Sequence, residues 1–599
     1  MLTRLFALSL ALTAAGPGLA DDSASKVAVF ELSGTITEKP AAQDDPFQMG
    51  AAESCTSLTR RMNKAASDPE VAAVVVLCES PSMGWAQSEE IHRAIAGIRE
   101  AGKPVYAYDD MYTTAEYAML SSATKMATST EGSVLIPGLA GAQPYVRGLL
   151  DKLEVEPDFI ALGDYKAAGE MFMRREPSEA AAENTKWLYD NLYASLLDAI
   201  AKGRGVDRAK AEEWIDEGVF SAKEAVADGV LDLATTRDEL ADLIEKNADA
   251  DLTFDKGYQK PKQKTVDLSS PFGLLNFYAE LLAGPSDRGS TKPSVAIVHV
   301  NGAIADGEPE TSPLSLNSGG AYSGPIRRAL DKAADDSTVK AVVLRVDSPG
   351  GSATASEVIL QAAERVTKKK PLIVSMGNVA ASGGYYVSMA GETIFVDEKT
   401  ITGSIGVVSG KLATTEMWEK VGVNFEPILR GKNADLLTTL STFSDEQEEE
   451  MKQYMRDVYG TFKGHVVDNR GDKLTKPIDE LAGGRVYSGR QAIELGLADE
   501  TGTIHDAIEA ARQAAKLGEE FELRTIPRPK NFIETLMADL QPPKKDKNAP
   551  RLSLMTLAEP VLGVLDPAKA AAVREVLTQA EVLSHCRVGV VAPIYVRPQ

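Results

Sequence analysis

The 599-residue sequence contains little histidine and cysteine, with five and three residues respectively. Basic residues are also few relative to acidic ones: 64 Lys and Arg stand against 87 Asp and Glu, for a net charge of −23 at pH 7. Because a nucleic-acid-binding surface is basic, this balance argues against that class of protein. Hydrophobic residues make up 44% and charged residues 25%, which excludes collagen, extensive disorder and a disulfide scaffold. The length fits a globular protein of about two to four domains.

The three cysteines, Cys55, Cys78 and Cys586, form neither a CxxC pair nor a spacing typical of metal ligands. Cys78 ends an apolar run and is predicted to be a buried thiol, whereas pairing of Cys55 with Cys78 is left open. The sequence contains neither a HExxH zinc motif nor a P-loop motif. It therefore implies no metal and no nucleotide cofactor.

The first residues have the pattern of a secretory signal peptide. Arg4 precedes an apolar run, Leu5–Ala15, and small residues lie just before Asp21. The run is shorter than the roughly 20 residues that a membrane-spanning helix needs. We therefore predict that residues 1–20 are a signal peptide and that the mature chain is exported, with a retained N-terminal anchor as the alternative. The apolar stretch Pro271–Leu282 is predicted to be a packed helix, with a membrane or interface role as the alternative.

The chain contains one pattern twice. Lys26–Glu38 (KVAVFELSGTITE) is matched by Ser294–Asp306 (SVAIVHVNGAIAD), an offset of 268 residues between Lys26 and Ser294. Two further pairs of blocks keep nearly this offset: Val71–Pro81 with Val339–Pro349, and Phe220–Asp232 with Tyr487–Asp499. Three matched blocks predict two tandem domains of about 230 residues each.

Within each half, short apolar runs alternate with amphipathic helical patterns. Strands are predicted at Lys26–Leu32, Val71–Leu77, Val105–Tyr108, Val295–Val300, Ala341–Val346 and Leu372–Met376. Helices are predicted at Ala51–Ala66, Ser88–Ala101, Ala180–Gly203, Ser356–Lys368 and Ser444–Arg470. This alternation predicts an α/β fold with mostly parallel sheets covered by helices.

The domain boundaries follow from the repeat and from the composition of the segments between its copies. We predict an N-terminal domain at residues 21–248, a linker at 249–293, a C-terminal domain at 294–540 and an extension at 541–599. The extension contains a helical pattern at Ala568–Leu583 and ends in a short apolar run.

Three glycine-rich turns follow predicted strands of the second half: DSPGGS at Asp347–Ser352, GNVAASGGYY at Gly377–Tyr386 and TGSIG at Thr402–Gly406. Parallel sheets bind ligands at the carboxyl ends of their strands. Glycine lets several backbone N–H groups approach one atom, as an oxyanion hole requires. Ser382, which lies between small residues just past a strand, is the candidate nucleophile, and a plain tight turn is the alternative.

A serine nucleophile needs a base. None of the five histidines lies in a glycine-rich turn, which disfavours a Ser-His-Asp triad. A lysine can act as the base where burial lowers its pKa. Lys166 (LGDYKAAG) and Lys432 (LRGKNAD) both follow apolar strands at the same distance before a serine that precedes a long helix. Spacing therefore does not choose between the two lysines.

Together, NVAASGGYYVS, DSPGGS and TGSIG in the second half and GDYKAAGEMFMR in the first resemble the long, two-domain form of the signal peptide peptidase A family. The resemblance runs from about Val27 to Arg524. It implies a tandem repeat of two ClpP/crotonase-like domains and a Ser/Lys dyad. By this resemblance Ser382 is the nucleophile, Lys166 from the first domain is the general base, and Ser404 positions the lysine amine.

The resemblance also implies a mechanism, substrates and partners. Backbone N–H groups of Gly383 and of the pair Gly350 and Gly351 are expected to stabilise the oxyanion of an acyl-transfer reaction. Expected substrates are signal-peptide remnants, unfolded and apolar. The expected protein is a homotetramer in the periplasm, at or peripherally associated with the inner membrane, without a cofactor and without nucleic acid.

The first half lacks the same motifs. Its segment Met111–Ser121 has Thr114 or Ala115 in place of the nucleophile, and DSPGGS is replaced by ESPSMG at Glu79–Gly84. We therefore expect the nucleophile and the glycine-rich oxyanion turns in the second half alone. Two other functions stay open: a crotonase-like acyl-CoA enzyme, and a catalytically silent scaffold of the same fold.

Overall fold

A computed structural model describes residues 26–40, 53–260, 291–309, 320–528 and 588–591. Several predicted features lie outside the described residues: the signal peptide, Cys586, the apolar stretch at Pro271–Leu282 and the helix at Ala568–Leu583. Among the described residues, no helix is long and apolar enough to cross a membrane.

The first half alternates strands and helices. Its strands are β1 (Lys26–Thr35), β2 (Val71–Ser82), β3 (Val105–Tyr108), β4 (Met111–Thr113), β5 (Lys125–Thr128), β6 (Ser133–Leu135), β7 (Glu156–Leu162), β8 (Val219–Ser221), β9 (Leu233–Ala234) and β10 (Thr253–Asp255). Its helices are α1 (Cys55–Ser67), α2 (Trp85–Glu100), α3 (Thr114–Leu120), α4 (Arg147–Leu153), α5 (Glu170–Met173), α6 (Glu179–Arg204), α7 (Arg208–Glu217), α8 (Ala222–Ala227) and α9 (Arg237–Ala248).

The second half repeats this plan. Its strands are β11 (Ser294–Asn301), β12 (Ile304–Ala305), β13 (Ala321–Tyr322), β14 (Val339–Ser348), β15 (Gly350–Ser352), β16 (Leu372–Ala381), β17 (Thr393–Val396), β18 (Ile401–Gly403), β19 (Val407–Ala413), β20 (Val486–Ser488), β21 (Glu500–Thr501), β22 (Glu522–Thr525) and β23 (Gly589–Val591). Its helices are α10 (Ser323–Asp335), α11 (Ala353–Thr367), α12 (Gly383–Ser388), α13 (Thr415–Lys420), α14 (Asp445–Arg470), α15 (Ile478–Leu481), α16 (Gly489–Glu494) and α17 (Ile504–Ala514).

Each half has a central parallel sheet. In the first, the described strands follow the order β10-β1-β2-β3-β5-β9, and all of these pairs are parallel. In the second, the path β20-β18-β16-β14-β11-β22 is parallel except for the β18–β20 pair, and β17 joins β16. Helices cover both faces, so the strands are continuous runs of buried Val, Ile and Leu. The predicted tandem α/β organisation is confirmed.

The boundaries of several elements differ from the predictions. The strand predicted at Val71–Leu77 continues to Ser82, and the helix predicted at Ser356–Lys368 begins at Ala353 because the Ser352 hydroxyl caps it. The strand Thr253–Asp255, inside the predicted linker, pairs with β1 as an edge strand of the first sheet. The possible Cys55–Cys78 disulfide does not form, since both cysteines are free and buried.

A third sheet joins the two halves. Strand β7 of the first half pairs antiparallel with β19 of the second along its whole length, from Leu162 opposite Val407 to Glu156 opposite Ala413. The described strands of this sheet follow the order β13-β12-β15-β23-β19-β7. The chain that follows β7 is therefore held against the second half.

Side chains also cross between the halves. The Asn378 side-chain oxygen accepts hydrogen bonds from the N–H groups of Ala86 and Gln87, at 3.1 and 3.3 Å, and so caps α2. Gly84 is required there, because a Cβ at that position would lie 2.0 Å from the same oxygen. The Glu89 carboxylate in turn accepts hydrogen bonds from two backbone N–H groups of the second half, those of Glu398 and Lys399.

One group of charged contacts between the halves is buried. Arg345, a charged residue inside the apolar strand β14, lies 2.9 Å from a carboxylate oxygen of Glu38 and 2.9 Å from one of Glu90. Its side chain is 1% exposed, and those of Glu38 and Glu90 are 4% and 1% exposed. Removal of the guanidinium therefore leaves two carboxylates buried without a counter-charge.

We expect Arg345→Ala to lower the free energy of unfolding by about 3–5 kcal/mol, because it breaks a buried ion pair from one side. The measurement is urea unfolding followed by circular dichroism. The matched control is Arg365→Ala: this arginine pairs with Asp331 at 2.8 Å but is 44% exposed. We expect the control to cost about 1 kcal/mol or less. Equal losses in the two variants would contradict the special role of the buried pair.

Candidate active site

Ser382 lies where β16 ends and α12 begins, at the carboxyl edge of the second sheet. Its φ and ψ are 55° and −110°, a region that residues with a side chain rarely adopt. Its N–H donates to the Gly403 carbonyl at 2.7 Å, and its carbonyl accepts from the Tyr386 N–H at 2.8 Å. This strained turn is thus held from both sides, and the Ser382 side chain is completely buried.

Lys166 reaches this serine from the other half of the same chain. It lies just after β7, the strand that pairs with β19. Its Nζ lies 2.7 Å from Ser382 Oγ, and it donates to both the carbonyl oxygen and the Oγ of Ser404, each at 3.0 Å. The structure therefore brings together Ser382, Lys166 and Ser404, the three side chains that the sequence analysis selects.

The burial of Lys166 favours the neutral form of its amine. The side chain is buried, and burial lowers the pKa of the amine well below its ordinary value of 10.5. Lys432, the other candidate, is placed differently: it is exposed and forms an ion pair with Glu446, and the hydrogen bond to that carboxylate raises its pKa. The structure does not bring Lys432 to Ser382.

A pair of glycines that the sequence analysis missed positions the lysine. The Tyr165 N–H donates to the Gly483 carbonyl at 2.8 Å. A Cβ on Gly484 would lie 2.5 Å from the Lys166 backbone nitrogen, and one on Gly163 would lie 2.5 Å from the Gly483 carbonyl carbon. The two backbones therefore approach at a distance that only glycine permits. The sequence did contain a signal for this loop, which was the pair of glycines shortly before the third repeated block at Tyr487–Asp499.

Arg485 adds a second contact to the same loop, and was also missed. Its guanidinium carbon lies 3.6 Å from the centre of the Tyr165 ring, and it hydrogen-bonds the Tyr165 hydroxyl. Its carbonyl accepts from the Ser404 N–H at 2.6 Å. One residue thus contacts both the loop that carries Lys166 and the residue that hydrogen-bonds the lysine amine.

The glycines predicted for an oxyanion hole lie around Ser382. Gly383 is the first residue of α12. Gly350 and Gly351 have φ values of +99° and +158°, and a Cβ on Gly351 would lie 1.9 Å from the Ile304 carbonyl oxygen. The Gly350 N–H donates to Ser348 Oγ at 3.1 Å, so this amide already has a partner.

The described histidines do not contact Ser382. Burial lowers the pKa of His92 to about 4 and that of His299 to about 3, so both are neutral. The His92 ring bonds the Ala118 carbonyl at 2.9 Å, and His465 bonds Glu357 at 3.0 Å. These contacts explain His92 and His465 as structural residues.

In the first half, Thr114 takes the position of the serine. Thr113 pairs with Leu135 in the first half, and Ala381 pairs with Gly403 in the second. Both residues of the second pair lie 268 positions after those of the first. The residues that follow Thr113 and Ala381, which are Thr114 and Ser382, are therefore equivalent. Of Thr114 and Ala115, the structure therefore selects Thr114. Its Oγ1 accepts from the Gly138 N–H at 3.3 Å.

Comparison with known proteins identifies the family of the chain. Residues 98–251 and 364–518 both match the model of peptidase family S49. The chloroplastic serine protease SPPA of Arabidopsis thaliana is 29% identical over 518 residues, which cover 86% of this chain and 73% of that protein. Protease 4 of Haemophilus influenzae is 34% identical over 433 residues, covering 70% and 66%. Protease 4 of Salmonella typhi is 30% identical over 525 residues, covering 83% and 79%.

A fluorophosphonate reagent tests the pairing of Ser382 with a neutral amine. Because the pKa of Lys166 lies well below 10.5, we expect labelling of Ser382 to rise with pH and to level off well below pH 10.5. Lys166→Arg, which stays charged, is expected to abolish labelling, and Ser382→Ala identifies the labelled atom. Labelling that still rises above pH 10.5, or equal labelling of Lys166→Arg, would contradict the pairing.

Proposed function

Because this chain belongs to peptidase family S49 and is a serine peptidase, we propose that Ser382 and Lys166 form its catalytic dyad. The observation that carries the proposal is the 2.7 Å contact between Ser382 Oγ and Lys166 Nζ in a buried site. A buried, neutral amine can accept a proton from a serine hydroxyl, which an ordinary exposed lysine cannot do at neutral pH. The enzyme is proposed to be an endopeptidase.

The proposed reaction proceeds through an acyl-enzyme. Neutral Lys166 takes the proton of Ser382 as Oγ attacks the peptide carbonyl carbon, which gives a tetrahedral oxyanion and a lysine ammonium. The ammonium then donates its proton to the leaving amine as the C–N bond breaks. The neutral lysine next takes a proton from a water molecule, whose oxygen attacks the ester. Collapse of that intermediate releases the acid and returns the proton to Ser382.

Ser404 is proposed to position the lysine. Its carbonyl oxygen and hydroxyl each accept from Lys166 Nζ at 3.0 Å. These two contacts hold two amine hydrogens away from Ser382, so that the lone pair of the neutral amine faces the serine. They also provide acceptors for the ammonium that forms during the reaction.

The oxyanion is proposed to bind at the start of α12. The Gly383 N–H directly follows the nucleophile and lies at the positive end of the helix. The turn of Gly350 and Gly351 is proposed to supply a second N–H group. Use of the Gly350 amide requires its bond to Ser348 Oγ to be given up when substrate binds.

The substrates are proposed to be unfolded apolar peptides, with signal-peptide remnants as the natural class. Ser382 is completely buried, so the surface of a folded protein does not reach it, which favours a flexible, extended substrate over a folded one. The class itself rests on the motif resemblance to signal peptide peptidase A. Together with the predicted signal peptide at residues 1–20, it supports a periplasmic enzyme at the surface of the inner membrane.

The repeat gives a second pair of segments, equivalent to β7 and β19, that do not pair with each other as strands within the chain. The homo-oligomer is proposed on the basis of these two segments. At the repeat offset of 268, Gly431 matches Gly163, and their φ values are +100° and +112°. Residues 424–430 therefore match β7, and residues 139–145 match β19. Neither segment is a strand in this chain, and residues 424–430 are all exposed.

The surface around residues 424–430 is apolar. The exposed large apolar side chains here are those of Val421, Val423, Phe425, Ile428, Leu429 and Leu437, and Ile428 is 82% exposed. Segment 424–430 of one copy is proposed to pair with segment 139–145 of the next, as β7 pairs with β19. Such a head-to-tail contact uses two different surfaces, and we propose that the rotation between successive copies closes it into a ring. Four copies are expected from the family resemblance.

Loss of either dyad residue is expected to lower kcat/KM for an unfolded apolar peptide on the order of 10³-fold or more, because nucleophile and base act as a unit. The variants are Ser382→Ala and Lys166→Ala, with circular dichroism to establish that each is folded. Lys432→Ala is the matched control and is expected to retain activity, since this lysine is exposed. Activity in Lys166→Ala would refute the assigned base. A folded wild-type protein without activity or labelling would support a silent scaffold.

The register of the proposed contact is testable by cross-linking. Asp158 pairs with Lys411 within the chain, so the equivalent contact between copies joins Glu426 to Gln143. A chain with both Glu426→Cys and Gln143→Cys is expected to form ladders of linked copies under mild oxidation, whereas either change alone is not. Ile428→Asp is expected to reduce the mass measured by light scattering, with Val219→Asp, at another exposed valine, as the control. An unchanged mass would contradict the contact.

A further inference from the structure

A thiol and two carboxylates meet in the half that lacks the serine. Cys78 lies in β2, Asp109 directly follows β3, and Glu116 lies in α3. One sulfur or oxygen atom from each lies within 4.8 Å of the others, and all three side chains are buried. Three separate elements of the first half therefore contribute to one small polar cluster at the carboxyl edge of its sheet.

The cluster is specific to this half. At the offset of 268 residues, the equivalent positions of the second half are Val346, Gly377 and Gly384. None of these has a side chain that can bind a cation. The same framework therefore carries a nucleophile in one copy and a set of acidic and thiol groups in the other.

The buried carboxylate of Asp109 is incompletely satisfied. The residue is 4% exposed, and its Oδ1 accepts from the Met111 N–H at 3.1 Å. Its Oδ2 has no hydrogen-bond partner among the described residues. A buried polar atom without a partner is unfavourable unless something occupies the space in front of it.

Glu116 also has a carboxylate oxygen, Oε1, that can bind a cation. Only its Oε2 accepts the two hydrogen bonds from Thr113, at 2.9 Å from the backbone N–H and 2.7 Å from the hydroxyl. Neither Asp109 nor Glu116 forms an ion pair with a lysine or arginine of the described residues. The nearby Arg237 is instead engaged at the rim, where it lies 2.9 Å from Glu79 and 3.6 Å from Asp110.

We propose that Cys78, Asp109 and Glu116 bind one divalent transition-metal ion, with Zn²⁺ as the fitting ion and water as a fourth ligand. Thiolate together with carboxylate suits zinc, whereas Mg²⁺ and Ca²⁺ take oxygen ligands. Zinc lies about 2.3 Å from sulfur and about 2.0–2.2 Å from carboxylate oxygen, so binding draws the three groups together by roughly 1 Å. The thiol gives up its proton on binding, and so does Asp109 where it is protonated.

Glu79 and Asp110, each next to a cluster residue in sequence, are exposed, and Arg237 pairs with both of them at the rim. A bound ion links β2, the end of β3 and α3, and so fixes the part of the first half that corresponds to the nucleophile turn of the second. The role is therefore structural, and it does not depend on the proposed dyad.

The test uses untagged full-length protein that has been stripped with a chelator and then titrated with Co²⁺ as a spectroscopic substitute for Zn²⁺. We expect one Co²⁺ per chain and the near-ultraviolet absorption that a thiolate–cobalt bond gives. Zn²⁺ is expected to displace the cobalt and to raise the melting temperature, as any ligand of the folded state does. Failure to bind cobalt, or binding without thiolate absorption, would overturn the site.

Variants separate this cluster from other metal-binding groups. Asp109→Asn, which keeps the shape of the side chain, is expected to weaken cobalt binding by about tenfold or more. Cys78→Ser is expected to abolish the thiolate absorption, and Cys55→Ser, at the other buried free thiol, is expected to leave it unchanged. Binding that persists unchanged in both cluster variants would overturn the proposal. Fluorophosphonate labelling of Ser382 in the metal-free protein reports on the dyad separately.

Discussion

The burial of the Lys166 amine without a counter-charge is the constraint on which the rest of this structure depends. Lys166 can keep a low pKa only if water and carboxylates are excluded, and it can contact Ser382 only if two halves of the chain meet at atomic precision. The β7–β19 pairing fixes the strand that leads to the lysine. Gly163 and Gly484 then allow the backbone of the loop that carries Lys166 to approach the backbone of residues 483 and 484 more closely than residues with a Cβ would permit.

The contacts between the halves have a shared logic. In each contact, a side chain of one half satisfies backbone N–H groups or carboxylates of the other half. Asn378 of the second half caps a helix of the first, and Glu89 of the first half accepts hydrogen bonds from backbone N–H groups of the second. Arg345 is held between two carboxylates of the first half. These are directional contacts of largely buried side chains, so they define one relative position of the halves, where apolar packing alone would tolerate several. The proposed dyad of Ser382 and Lys166 is assembled across this interface and needs a single relative position of the halves.

The sequence predicts the repeated framework well because periodicity and motif spacing are local properties. The helix predicted at Ser444–Arg470 is observed at Asp445–Arg470, and the nucleophile turn lies where the glycines indicate. Spacing alone does not choose between Lys166 and Lys432, because both follow apolar runs. The motif resemblance selects Lys166, and the structure distinguishes the two lysines by burial. The loop at 483 and 484 was missed, since its partner lies about 320 residues away in the chain. Arg345 had a visible signal, a charge inside an apolar strand, but its carboxylate partners were not identifiable from spacing.

The arrangement of the site also orders events in time. The half that carries Lys166 precedes the half that carries Ser382, so it leaves the ribosome and can fold first. During that interval the amine has no serine beside it. The proposed nucleophile meets the proposed base only when β19 has been made and has paired with β7. Until then the two groups lie on separate parts of the chain, so a peptidase that depends on this pairing stays inactive while its own folding is incomplete.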